Sequence, residues 1–338
     1  MHHDRLRALY CAARLAVALV KVRVLKQRLP LFIEWNLTFR CNLRCLYCGA
    51  CDARREEWNT AQVLEGLKSL WHIGARWITL GGGEPLLRED IGEIAQGAHA
   101  LGFQVYLSSN GALLPQKRSV LQWIDHVNLS LDGAPETHDA IRGKGTHAKT
   151  MKAIEICRDA GVSVSLLCVI SSMNVDRLDE VLHIAVQHGL TVMFQPATQW
   201  LDSSTAPNPI APPPAVYHAA IERVIARKRA GAPVRNSVAG LKHLAQWPQP
   251  THIWCSAARL TGTVEPDGVF VACHQAEAGR YLESAAGANA TRADLAQQFR
   301  LSKTPRDCRQ CWCAPMVELA LLFSLRPEPL WNALRIFL

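Results

Sequence analysis

The sequence predicts an α/β protein whose parallel sheet curls toward a partial barrel, followed by a smaller cysteine-bearing domain. Three observations carry that expectation. Six short apolar runs alternate with helix-like stretches between residues 31 and 200. Five prolines within residues 207–214 then stop the alternation, because proline continues neither helix nor sheet. Cysteines recur in two sets, one on each side of that break.

The strand-like runs are "LFIEWNL" (31–37), "RWITLG" (76–81), "FQVYLSS" (103–109), "HVNLSL" (126–131), "VSVSLLCVI" (162–170) and "LTVMFQP" (190–196). They are short and largely apolar, as strands buried on both faces are. Helix-like stretches lie near 60–74, 88–101, 116–123, 147–160 and 176–188. Six such β–α steps form a parallel sheet with outer helices, whose function sits where strands end and loops begin. Four regions follow: a basic amphipathic helix at 1–30, the barrel at 31–200, a Pro-rich and helical connection at 201–250, and the second cysteine domain at 251–338.

In the first region Leu6, Leu9, Ala13, Ala16 and Val20 fall near one helix face. Arg7, Arg14, Lys21, Arg23, Lys26 and Arg28 interrupt the apolar run, so no uncharged stretch approaches the roughly 20 residues that span a bilayer. The chain has no signal peptide of the usual form, and a reducing cytoplasm is the expected compartment. The helix packs on its own barrel or touches the inner membrane surface as a cationic amphipathic element. Lys and Arg number 37 against 29 Asp and Glu, a moderate basic excess. Interleaved basic and aromatic stretches are missing, which argues against nucleic acid as a partner.

Cys41, Cys45, Cys48 and Cys51 fall within eleven residues directly after the first strand. In a reducing compartment a disulfide is the weakest explanation. The spacing C-x3-C-x2-C of the first three suits three corners of a [4Fe–4S] cluster, because thiolate is the ligand such centres prefer. Three ligands leave one iron open to chelate a substrate. The rival reading joins all four cysteines in a zinc site.

With Tyr47 before the third cysteine, these residues resemble the radical S-adenosylmethionine (SAM) superfamily, whose signature is C-x3-C-x-aromatic-C. The resemblance covers roughly residues 31–200 and continues at strand ends in the family's order. "GGGEP" (81–85) looks like the family's GGEP motif, so Gly82, Gly83, Glu84 and Pro85 are expected at the SAM amino group. "SSNG" (108–111) supplies Ser108 and Asn110. "SLDG" (130–133) supplies Ser130 and Asp132 for the ribose or carboxylate of SAM. "HDAIRGKGTH" (138–147) supplies Arg142 for the SAM carboxylate. Asn174 and Gln195 have weaker support and read as structural, and Cys51 as a surplus thiol. The resemblance implies SAM bound at the open iron and split reductively to a 5′-deoxyadenosyl radical that removes hydrogen from substrate. A low-potential donor such as flavodoxin or ferredoxin then becomes an expected partner.

Cys255, Cys273, Cys308, Cys311 and Cys313 resemble the auxiliary-cluster region of the SPASM/Twitch branch. The stretch "TGTVEPDGVFVAC" (261–273) reads as a hairpin turning at Pro266-Asp267-Gly268, which brings its flanks together. Five cysteines are too few for the two clusters of a full SPASM domain. One auxiliary [4Fe–4S] cluster on Cys255, Cys273, Cys308 and Cys311 fits better, with Cys313 departing from the pattern and able to replace one of them. Four cysteine ligands favour electron transfer over substrate ligation. A zinc ribbon is the rival.

Only about thirty residues precede the first strand, which lowers the ribosomal-peptide reading and favours a small-molecule substrate. The alternatives are peptide modification, transfer of an adenosyl or other SAM fragment, and a non-catalytic zinc scaffold.

Overall fold

A computed structural model describes residues 13–49, 56–199, 201, 207–273, 294–304, 308–325 and 327–337. Cys51, Leu6, Leu9 and Arg7 lie outside the described residues.

The six expected strands form in order: β1 (Phe32–Asn36), β2 (Trp77–Gly81), β3 (Gln104–Ser109), β4 (His126–Ser130), β5 (Ser163–Ile170) and β6 (Thr191–Pro196). Each pairs in parallel with the next. An N-terminal helix, α1, covers residues 13–19 and winds on through a wider turn at Val20–Val24. Between the strands run α2 (Thr60–His72), α3 (Ile91–Leu101), α4 (Pro135–Arg142), α5 (Thr146–Asp159) and α6 (Leu178–His188), with a 3₁₀ segment at Arg118–Trp123 replacing the helix expected at 116–123. Local sequence sets these limits. Asn59 and Gln62 form a capping box at the start of α2, and Gly102 and Gly189 end α3 and α6 in left-handed conformations that glycine adopts without Cβ strain. Helix α4 is an addition to the expected set, opened by Pro135 at its first turn and ended at Gly143.

Beyond the barrel come α7 (Pro214–Arg229), α8 (Val238–Leu244), β7 (Thr261–Val264), β8 (Phe270–Val271), α9 (Leu295–Leu301), α10 (Ala314–Phe323) and α11 (Pro327–Phe337). The hairpin joins the barrel's sheet: β7 pairs in parallel with β1, and β8 runs antiparallel to β7. The strand order is β6-β5-β4-β3-β2-β1-β7-β8. The turn packs against Trp58, which leaves no room for a Cβ at Gly268 (φ +79°), and Trp58 N donates to Pro266 O at 2.7 Å.

The two faces of the sheet differ. Ile33, Leu80, Leu107, Leu129, Leu166 and Phe194 point to the helices and are at most 2% exposed. Their neighbours Glu34, Thr79, Tyr106, Ser108, Asn128 and Ser130 point the other way and stay partly exposed. Burial on both faces, expected from the apolar runs, therefore holds for one face only. The sheet curves, and its concave side is a polar lumen. At the amino ends of the strands the lumen is plugged by Ala18 and Val22 of α1 and Phe323 of α10, packed with Leu31, Trp77 and Leu260. The N-terminal helix thus packs on its own barrel, but not through the expected face: Ala13, Ala16 and Val20 are exposed, and Ala18 and Val22 make the contact.

Candidate active site

The loop after β1 keeps pairing with the loop after β2. Leu37 N donates to Gly81 O at 2.8 Å, Gly83 N to Thr38 O at 2.9 Å, and Glu84 N to Arg40 O at 2.9 Å. A Cβ on Gly82 (φ +125°) would meet Thr38 O at 2.7 Å, and one on Gly83 would collide with Arg40 O. These glycines are thus required by the chain's own close approach at the entry to the cysteine loop. Two further side chains, unremarked by the motifs, hold the same loop. The Glu57 carboxylate accepts from Thr38 Oγ1 at 2.7 Å and from Phe39 N at 2.9 Å. The Arg88 guanidinium, 6% exposed, donates to Leu37 O at 2.9 Å and Trp58 O at 3.0 Å, and is oriented by Asp90 at 2.6 Å.

Cys41, Cys45 and Cys48 are all partly buried on this loop, and no disulfide is formed among the ten described cysteines. Leu43 N donates to Cys41 Sγ at 3.4 Å, and Cys48 N donates to Cys45 O at 3.0 Å.

Glu84 is fully buried. Its carboxylate accepts from Leu86 N, Ser109 Oγ and Asn110 N at 3.1, 2.9 and 2.9 Å. Burial pushes its carboxyl up, and these three donors oppose the shift. Glu84 thereby ties the ends of β2 and β3 together, and Pro85 begins the 3₁₀ turn that follows. Asn110 continues the chain of contacts: its Nδ2 donates to Asn42 Oδ1 at 2.8 Å, inside the cysteine loop.

The second constraint comes from β4 and α4. Arg142 Nε donates to Asp132 Oδ2 at 2.6 Å, Tyr47 OH donates to the same oxygen at 3.1 Å, and Val169 N donates to Oδ1 at 3.0 Å. The Arg142 carbon at the centre of its guanidinium lies 5.3 Å from the Tyr47 ring centroid, and its Nη1 lies 3.9 Å from Cys45 Sγ. Burial works against the Arg142 charge, but Asp132, Tyr47 and Cys45 outweigh it and hold its proton more tightly than usual. Burial also pushes the Tyr47 phenol up. Asp132 and Arg142 thus face each other, with Asp132 fully buried. Asn174 Nδ2 donates to Asp132 O and Val169 O at 2.8 and 2.9 Å and so joins the ends of β4 and β5. Ser108, Ser130 and Gln195 stand partly exposed on the concave face.

Around the hairpin, Cys255, Cys273, Cys308 and Cys311 line one cavity, together with small or apolar groups such as Ala257, Gly262 and Ala272. Cys313 does not line it; it is the residue before the first turn of α10. Burial, then the neighbouring Cys313, Cys273, Cys255 and Cys308, pushes the Cys311 thiol up. Among the described residues no three His, Cys, Asp or Glu side chains converge closely enough for a single metal ion. No described helix is long and apolar enough to cross a membrane.

Fold and loop together define a parallel α/β partial barrel that presents three thiols at the carboxyl ends of its strands. Residues 35–185 match the model of the Radical SAM superfamily, and this part of the chain is a radical SAM domain. A domain of this family implies a [4Fe–4S] cluster and SAM. The chain is 34% identical over 170 residues to the mycofactocin maturase MftC of Mycolicibacterium smegmatis, covering 48% of this chain and 43% of that one. It thus spans less than half the length of that relative. It is 28% identical over 260 residues to the PqqA peptide cyclase of Ruegeria pomeroyi, covering 73% of this chain and 68% of the other. Among solved structures, SuiB of Streptococcus suis bound to its precursor peptide SuiA shares the fold with a TM-score of 0.64 at 15% identity, over 84% of this chain and 68% of that one.

Proposed function

We propose that the chain is a radical SAM enzyme that removes a hydrogen atom from a substrate held in the barrel lumen. The observation that carries this reading is the three-thiol loop clamped between the glycines after β2 and the Asp132–Arg142 pair after β4. Cys41, Cys45 and Cys48 would hold the catalytic [4Fe–4S] cluster. The donor set fits it: three thiols on one loop, with no side chain at Gly82 or Gly83 to crowd them. The strand ends at Gly82–Pro85, Ser108, Asn110 and Ser130 would hold SAM, with Asp132 and Arg142 acting there as a pair. When bound, the cluster supplies the electron that splits the SAM sulfonium and yields the hydrogen-abstracting adenosyl radical. Tyr47, Asp132 and Arg142 keep the loop oriented and Glu84 keeps the strand ends in register.

Residues 251–338 would form the auxiliary-cluster region, with Cys255, Cys273, Cys308 and Cys311 holding one cluster. The cavity these four share supports this set, and Cys313 does not line it. The redox role falls to this cluster, and a low-potential protein donor supplies electrons. The cytoplasm is the proposed compartment. Contact with the inner membrane surface rests on Val17, Val20 and Val24, exposed on the N-terminal helix beside Lys21 and Arg23. Absence of binding to anionic vesicles at low salt would remove that contact.

The similarity to a peptide cyclase along 73% of this chain favours a second substrate reading, a peptide in place of a small molecule. Product mass separates hydrogen abstraction from transfer of a SAM fragment.

Iron, sulfide and zinc in anaerobically prepared protein test the proposal, wild type beside a Cys41/Cys45/Cys48→Ala variant. About eight irons in the wild type and about four in the variant support two [4Fe–4S] clusters. Zinc with little iron in both, after reconstitution, replaces the enzyme by a metal-bound scaffold.

A further inference from the structure

Beyond β6 the chain adds one more parallel step to the sheet. Val192 N donates to Pro233 O at 2.8 Å, Arg235 N donates to Val192 O at 2.7 Å, and Val234 bridges Val192. Side chains alternate across such a step. Val234, 5% exposed, lies in the same core as Val192, so Arg235 projects to the opposite, concave face.

That face surrounds Arg235 with groups that do not neutralise it. Its charge is felt at His126, and it in turn feels the Tyr106 phenol. Tyr106 and His126 are register partners one pleat below Ser108 and Asn128, with ring centroids 5.1 Å apart. His126 contributes no anion: its ring nitrogens are bonded to Ser163 Oγ at 2.6 Å and Ser165 Oγ at 2.8 Å. Glu318 of α10 is an acid whose charge reaches Arg235, but one of its oxygens already accepts from Ser237 N at 2.8 Å, and burial raises its carboxyl to about 7. Among the described residues no hydrogen bond or ion pair reaches the Arg235 guanidinium, although Arg235 stands partly exposed in the lumen. Every other deep guanidinium described above is matched: Arg88 by Asp90, and Arg142 by Asp132.

A guanidinium sunk among protein groups without a hydrogen-bonded or ion-paired partner is costly, and its five N–H donors form a rigid fork that fits a carboxylate or phosphate. We propose that Arg235 anchors an anionic group of the substrate, a carboxylate or a phosphate, low in the lumen. The opposite end of the substrate then points up the strands toward the three-cysteine loop. The use of the lumen by substrate rests on the radical SAM reading; the anion site rests on Arg235 itself.

The test uses cluster-loaded full-length protein under anaerobic conditions, with benzoate, malonate and inorganic phosphate as probes and benzamide and malonamide as neutral counterparts. Calorimetry on wild type, Arg235→Gln and Arg235→Lys reads binding directly. Expected are binding of a carboxylate probe or of phosphate, which distinguishes the two anion sources, at least about tenfold weaker binding of the neutral amides, and a loss of about tenfold or more in Arg235→Gln with partial retention in Arg235→Lys. A wild type that binds no anion, amides that bind equally well, or an unchanged Arg235→Gln each overturn the proposal. Phenylglyoxal labelling of Arg235 in the wild type, mapped by mass, keeps the test readable where the Gln variant does not fold. Protection by the bound anion and none by its amide is expected; equal labelling with and without anion overturns it. Zinc in place of iron in the same preparation would overturn the radical SAM reading alone, since the anion titration does not depend on the metal.

Discussion

Arg142 and Asp132 meet at 2.6 Å with side chains 7% and 0% exposed, and Tyr47 joins the same carboxylate oxygen at 3.1 Å. One buried ion pair thus connects the end of α4, the end of β4 and Tyr47, the residue before Cys48. Removing one partner of such a pair leaves a buried charge uncompensated, which costs about 3–5 kcal/mol. Arg142→Met is therefore expected to lower stability by that amount, and Arg142→Met with Asp132→Leu by clearly less. Urea unfolding of the three proteins measures this. Equal losses in single and double variants would mean that the pair does not act as a unit.

Gly83 and Gly92 make a matched contrast. A Cβ at Gly83 collides with Arg40 O, a backbone atom that cannot swing aside, whereas nothing lies within 4 Å of one at Gly92 in α3. Gly83→Ala is expected to push the cysteine loop off the β2 end and lower iron retention after reconstitution. Gly92→Ala is expected to leave iron unchanged and raise stability by about 0.5–1 kcal/mol, the helix preference of alanine over glycine. Iron per chain and thermal unfolding give both readings. Full iron in Gly83→Ala would show that the loop tolerates the displacement.

Much of this site was legible in the sequence because its parts are short and local. The six strands appeared within one or two residues of their expected limits, since alternating apolar runs and glycine caps are set by neighbours in the chain. The cysteine spacing, GGGEP and SLDG were visible for the same reason. The supports of the loop were not. Arg88 reaches Leu37, 51 residues away, and Glu57 reaches Thr38, 19 residues away. Single arginines and acids carry no spacing signal, and only the topology brings them together. The pairing of β7 with β1 was hidden in the same way, because a hairpin pattern specifies its own turn but not the sheet it joins. The polar lumen was obscured because β2 and β5 carry apolar residues on both faces, and the polar residues of β1, β3 and β4, such as Glu34, Tyr106 and Asn128, alternate with apolar neighbours in runs read as apolar overall.

His126 gives the structure a pH signature. Burial first, with Arg235 adding to it, pushes His126 down to about 3. In the unfolded chain the same imidazole takes its proton near about 6.5. Between those values the unfolded state binds more protons than the folded state, so stability rises with pH through the window and levels off above it. The limiting slope is about 1.4 kcal/mol per pH unit for one group. His138, pushed down to about 4 by burial and then by Arg142, acts in the same sense. His126→Gln is expected to flatten the stability profile between about pH 5 and about pH 6.5 relative to wild type. Urea midpoints across that range decide it; parallel profiles would place the pH dependence elsewhere.

Cys311 and Cys313 lie two residues apart and have different surroundings. Cys311 lines the cavity shared with Cys255, Cys273 and Cys308, whereas Cys313 precedes the first turn of α10 and is not among the lining residues. A cluster in that cavity would take its ligands from the lining thiols, because an Fe–S bond tolerates little displacement of the sulfur. Cys311→Ala is therefore expected to lose about four irons per chain relative to wild type, and Cys313→Ala to lose none. The Cys41/Cys45/Cys48→Ala background sharpens the measurement, since all remaining iron there belongs to the second site. With Cys311→Ala added, that preparation should become iron-free, and with Cys313→Ala added it should keep its brown colour. The reverse result would make Cys313 the ligand and would require the segment 308–313 to turn over when the cluster binds.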